Sequence, residues 1–186
     1  MCGRFGLAAK PEDIAAKLEV SPDDLNYAGP RFNIAPSTNC IVIRHDAGRR
    51  RRPHAIKWGL IPSWAKDAGI GAKLTNARSE TVSDKPSFRD AFARRRCLIL
   101  TDGFYEWRRD EEGKTPFHIG MRDNSVFAFG GLWERWREPS GTMLDSFAIL
   151  TTTPNAVMRP IHHRMPVIIA PEHYDHWLDR QSPPET

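Results

Sequence analysis

Cys97-Leu98-Ile99-Leu100 reads as a buried strand that leads into Thr101-Asp102-Gly103-Phe104-Tyr105-Glu106-Trp107, where apolar and polar residues begin to alternate. Strand-like runs continue on the C-terminal side at Pro116–Ile119, Val126–Trp133, Phe147–Thr151 and Met165–Ile169. On the N-terminal side, Cys40–Arg44 and His54–Ile61 form a hairpin candidate across Arg49-Arg50-Arg51-Arg52, and the second run stops at Pro62-Ser63-Trp64. Helical patterns are few and short. Pro11–Leu18 carries proline and acids in its first turn, with Ile14 and Leu18 on one face; Ser87–Arg96 puts Phe88 and Phe92 together and arginines at its C-terminal end; Glu172–Leu178 closes the chain. Many short strands with few helices predict an α+β domain built on a curled, mostly antiparallel β-sheet with a few peripheral helices.

A chain of 186 residues with 40% apolar content fills one core, and neither an internal repeat nor a long linker divides it. One domain over residues 2–180 is expected, with 181–186 a disordered tail and the whole a monomer. No run of 18 apolar residues and no hydrophobic leader is present, so neither a membrane span nor secretion is expected. Cys2, Cys40 and Cys97 are odd in number and lack CxxC spacing, which suits a reducing cytoplasm and disfavours a disulfide framework or a zinc ribbon. The net charge of +4 is modest, yet Arg49–Arg52 and Arg94–Arg96 are solid basic runs. Gathered on one surface they would attract phosphates; as a solvated hairpin loop and a helix C-terminus they would not.

The chemistry concentrates in four places. Met1-Cys2-Gly3-Arg4-Phe5 puts a small thiol residue second, so that removal of Met1 would leave one residue with both an α-amine and a thiol. Their reference pKa values, about 8 and about 8.5, supply reactive forms near neutrality. With an aldehyde such a residue forms an imine and then a five-membered thiazolidine. Glu106 alternates away from Tyr105 and Trp107, onto either a solvent face or a polar cleft, where burial would make it a general acid or base. His162-His163 is the densest imidazole pair; in an extended segment the two rings would point apart, so a shared metal is disfavoured and no metal or other cofactor is expected. Asn76-Ala77-Arg78 lies in an irregular excursion over residues 65–86, of the kind that holds polar side chains over a cleft. Trp58 and Trp64 offer stacking surfaces or core mass.

Taken together, Met1–Phe5, Phe32-Asn33-Ile34-Ala35-Pro36, Trp58–Trp64, Asn76-Ala77-Arg78-Ser79-Glu80, Gly103–Trp107 and His162-His163-Arg164-Met165-Pro166 resemble the SRAP family, the SOS-response-associated peptidase proteins that sense abasic sites in single-stranded DNA. The stretches fall in family order from residue 2 to about 170. The resemblance implies a single domain with a basic single-strand channel ending at Cys2, which would link covalently to the ring-opened deoxyribose. It further implies that Asn76 positions the Cys2 amine, that Glu106 handles its protons and that His162 helps open the sugar. Arg4, Arg78 and Arg164 would contact phosphates, and Trp64 would stack or wedge beside the lesion. Loss of Met1 by self-processing, strand cleavage through a Schiff base and association with DNA in the cytoplasm belong to the same expectation. Two readings from other classes stay open: a thiol peptidase using Cys2, His162 and Glu106 in trans, and a non-enzymatic single-strand-binding module.

Overall fold

The computed structural model describes residues 2–25, 29–111 and 113–182. Its strands are β1 (Arg4–Leu7), β2 (Arg31–Ile34), β3 (Asn39–His45), β4 (Arg51–Trp58), β5 (Asn76–Arg78), β6 (Arg96–Thr101), β7 (Gly103–Asp110), β8 (Gly113–Ile119), β9 (Phe127–Arg137), β10 (Met143–Thr152), β11 (Met165–Pro166) and β12 (Ile168–Ile169). Its α-helices are α1 (Pro11–Leu18), α2 (Arg89–Arg94) and α3 (Tyr174–Leu178). Helix α1 follows its sequence signals: Pro11 opens it, Glu12 and Asp13 face the positive end of the dipole, and Ile14, Ala15 and Leu18 are buried. Helix α2 is shorter than the expected 87–96, because Arg96 already belongs to β6.

The α+β class holds, but the principal sheet closes into a barrel and does not merely curl. Around the ring β10 pairs with β4, β4 with β3, β3 with β6, β6 with β9, and β9 returns to β10 over seven residue pairs. Most pairings are antiparallel; β10 runs parallel to both β4 and β5, making the sheet mixed. Closure removes the free edges an open sheet would expose. Strand β9 pairs with β6 on one side and β10 on the other, and at Gly131 it faces both Cys97 and Ile149. A methyl group on Gly131 would clash with Cδ1 of the buried Ile99, so glycine suits this close approach.

A second sheet, ordered β2-β1-β7-β8, lies against the barrel. Phe5 of β1 reaches Trp58 of β4 (centroids 5.2 Å apart) and Phe129 of β9 (6.0 Å), and Phe104 of β7 meets the same Phe129 at 5.7 Å. Trp58 is fully buried and its indole N–H donates to the Thr75 carbonyl at 2.9 Å, so it is core and offers no face to a base. These contacts fix β1, and with it Cys2, over one end of the barrel. No helix among the described residues is long and apolar enough to cross a membrane.

Most arginines of the two runs are engaged with carboxylates or carbonyls, while Arg94 is exposed. Arg49 pairs with Asp179, Arg50 with Asp46, Arg51 with Asp175 and Glu19, and Arg52 with Asp24 and Asp46. In the second run Arg95 pairs with Glu134, while Arg96 is buried and donates to the carbonyls of Phe92, Ala93, Trp177, Asp179 and Ser182. Gln181 and Ser182, at the start of the expected tail, donate backbone N–H groups to Asp179; residues 183–186 lie outside the described residues.

Arg44, buried on β3 over the Trp133 ring, depends on Asp145 at 2.9 Å, which also receives Arg135 at 2.7 Å. Burial raises the Asp145 carboxyl, but hydrogen bonds and charge from Arg135 and Arg44 win and hold it below the ordinary aspartate range. Replacing Asp145 by Ala leaves a buried guanidinium without its carboxylate, and urea denaturation should show a loss of about 3 kcal/mol. Because the folded carboxyl is depressed, its contribution is whole above the unfolded pKa of about 3.9 and fades as pH falls below it. The wild-type advantage over Asp145→Ala should therefore shrink in acid; a constant difference down to pH 2 would contradict this pairing.

Candidate active site

Four sequence-distant segments converge beside the first strand. The antiparallel register of β1 on β7 sets Arg4 opposite Tyr105 and Phe5 opposite Phe104, which carries Cys2 toward Glu106. Strand β5 lies parallel to β10 with Asn76 level with Ile149, and from there the Asn76 amide donates to the Cys2 carbonyl at 3.0 Å and to Thr75 Oγ1 at 3.1 Å. Asn76 Oδ1 is buried and accepts no hydrogen bond among the described residues. A buried acceptor of this kind is costly unless a donor reaches it in some working state.

Glu106 is 3% exposed and shares the inner face of β7 with Phe104, so of the two faces that the alternation left open the structure shows the buried one. His162 Nε2 stands 4.0 Å from Glu106 Oε2. Its Nδ1 is 3.0 Å from the Arg164 backbone N–H, which donates to it. The two histidines do not point apart as expected: their rings stack at 4.3 Å with 27° between planes. The segment is a turn, not a strand, with the His162 N–H bonded back to the Met158 carbonyl. His163 is exposed, and the charge of His162 is the first cause holding its pKa below the usual imidazole value.

The Cys2 thiol is fully buried, within 4.0 Å of the Arg4 carbonyl. Burial first, and the Glu106 carboxylate second, push it far above the ordinary thiol range. It is therefore a protonated thiol at neutral pH, and any reaction at sulfur requires a base to take its proton. Met1 lies outside the described residues. No three His, Cys, Asp or Glu side chains among the described residues are grouped as a metal ion requires.

The profile described as SOS response associated peptidase (SRAP) matches residues 1–186. The chain belongs to the SRAP family. It is similar to the abasic site processing protein YoqW of Bacillus subtilis, 44% identical over 183 residues that span 96% of this chain and 80% of that one. It also resembles abasic site processing protein HMCES of Xenopus tropicalis, 28% identical over 96% of this chain and 66% of the relative. Among solved structures, a Bacteroides thetaiotaomicron protein superposes with a TM-score of 0.83 at 27% identity, covering 97% of this chain and 82% of that one.

The remaining residues expected from the SRAP resemblance fall in different settings. Arg4 is exposed, with Nη1 donating to Asn33 Oδ1 at 3.0 Å, and Arg78 is exposed at the end of β5. Trp64 is 58% exposed, its ring free to meet a flat partner. Arg164 is 8% exposed and its guanidinium is committed to Glu80 and Thr151, not turned to the surface. Sequence reasoning passed over Trp107 as a site residue, although it is 36% exposed beside Glu106 and His162. A cavity of about 730 Å³ continues from there past Arg109, Arg159 and His163. The signal was available: a tryptophan in an alternating strand, one position after the candidate acid.

Proposed function

We propose that this chain processes abasic sites in single-stranded DNA by capturing the sugar aldehyde on Cys2 as a thiazolidine, after Met1 has been removed. The observation that carries it is the meeting of Asn76, Glu106 and His162, from three separate segments, around the buried Cys2. An abasic sugar is mostly a closed hemiacetal, so proton transfer at His162 first frees the aldehyde. The freed Cys2 amine attacks that carbon and water leaves, giving an imine. The Cys2 sulfur then adds to the imine carbon, and the thiol proton passes by way of Glu106 to the nitrogen. The net change is condensation with loss of one water. Asn76 Oδ1 offers the acceptor that would orient the amine. The same imine, left unclosed, supports strand cleavage by β-elimination.

A thiol peptidase acting in trans needs a thiol of depressed pKa, and here burial and Glu106 raise it. A purely non-enzymatic binder has no use for a buried carboxylate 4.0 Å from an imidazole. Capture of a strand without a base to read calls for phosphate anchoring, which the exposed Arg4 and Arg78 supply. Affinity for single-stranded DNA should therefore exceed that for continuous duplex. It should fall with salt by about 0.7 in log–log slope per phosphate contact. Replacing Arg4 and Arg78 by Ala should flatten the slope by roughly one to two contacts; equal affinity and slope on both DNA forms would remove the channel from the mechanism.

A further inference from the structure

Glu80 lies outside the catalytic set and is 44% exposed at its side chain, yet it is held with unusual completeness. Its two carboxylate oxygens accept from the Arg164 guanidinium, Oε1 from Nη1 at 2.6 Å and Oε2 from Nη2 at 2.9 Å. The same Nη2 donates to the Thr151 carbonyl of β10 at 2.6 Å. Arg164 is thus pinned between a 3-10 turn (Ser79–Thr81) and a barrel strand, with its charge buried. What the pin holds is the backbone of Arg164, whose N–H donates to His162 Nδ1 at 3.0 Å and whose carbonyl lies 3.1 Å from the same atom.

Both backbone groups of Arg164 thus meet Nδ1, a donor for the unprotonated atom and an acceptor for the protonated one, so they hold the ring in place in either form. Nε2 is the atom that faces Glu106, 4.0 Å away. Resting on the abasic-site reading for its kinetic consequence, we propose that Glu80 is a positioning residue for His162. Through the Arg164 guanidinium it fixes the Arg164 backbone, and that backbone holds Nδ1 so that Nε2 of the ring that opens the sugar faces Glu106. The turn bearing Glu80 follows directly on β5, so one short segment sets both Asn76 against Cys2 and Arg164 against His162.

The test uses Glu80→Gln, which keeps size and one acceptor but loses the symmetric fork, alongside Glu80→Ala and His162→Ala. Nitrogen-15 spectra of the His162 ring, independent of any DNA chemistry, should show one sharp pair of ring resonances in wild type and shifted, broadened ones in Glu80→Gln. Single-turnover capture of a ring-closed abasic strand should slow about 10-fold in the Glu80 variants, while capture of a strand bearing an open-chain aldehyde stays within about two-fold of wild type. His162→Ala should show the same split more strongly. A folded Glu80→Gln protein with unchanged His162 ring resonances, or equal slowing on both strands, overturns the positioning role. Absence of capture by wild type would overturn the abasic-site reading instead, leaving the ring spectra to decide the role of Glu80.

Discussion

The Cys2→Ser protein is expected to yield no heat-stable adduct with abasic single-stranded DNA, a loss on the order of 10²-fold or more in adduct recovered. Serine at the second position keeps the α-amine that removal of Met1 exposes, so an imine still forms and borohydride should trap it. What is lost is the sulfur that closes the ring. Cys2→Ala should behave alike, since its methyl also fits the fully buried side-chain site. Strand cleavage should persist or rise in both variants, because an imine that cannot close stays open to β-elimination. An adduct from Cys2→Ser as heat-stable as that of wild type would exclude a thiazolidine.

Glu106→Gln is expected to slow single-turnover capture by about 10²-fold at neutral pH. The substitution preserves volume in a site that is 3% exposed, so packing is retained. Two opposed effects follow, and their sizes decide the outcome. Removing the carboxylate charge relieves part of what raises the Cys2 thiol, which alone would favour attack by sulfur. Burial is the larger cause of that raised value, and it stays. The gain is therefore small beside the loss of the base that must take the thiol proton. A rate unchanged between pH 6 and 8 would return Glu106 to a structural role, filling the inner face of β7 beside Phe104.

How much of this was legible in the sequence differs by kind of interaction. Strand positions followed from alternation, and Glu106 could be placed inside or outside but not between them, because alternation defines two faces and does not say which is wet. Barrel closure was not legible. It depends on β10 lying parallel to β4 and on β9 being shared between β6 and β10, and neither a parallel partner nor a shared strand leaves a local pattern. The arginine run at 49–52 could not be settled between a phosphate patch and a solvated loop because its partners Asp24, Asp46, Asp175 and Asp179 are scattered along the chain. The stacked histidines were misread for a local reason: an extended backbone was assumed where the His162 N–H turns back to Met158. Arg164 and Glu80 both stood in quoted motifs, but side-chain direction out of a short 3-10 turn cannot be read from spacing.

The most direct measurement is intact-protein mass spectrometry before and after reaction with an oligonucleotide carrying one abasic site. The protein should first be lighter by one methionine residue, and then gain the oligonucleotide mass less one water, in one-to-one stoichiometry and stable to heat. A variant with a bulky residue at position 2, which blocks removal of Met1, should show neither change. Wild-type protein that keeps Met1 yet crosslinks normally would contradict capture by the Cys2 amine and thiol.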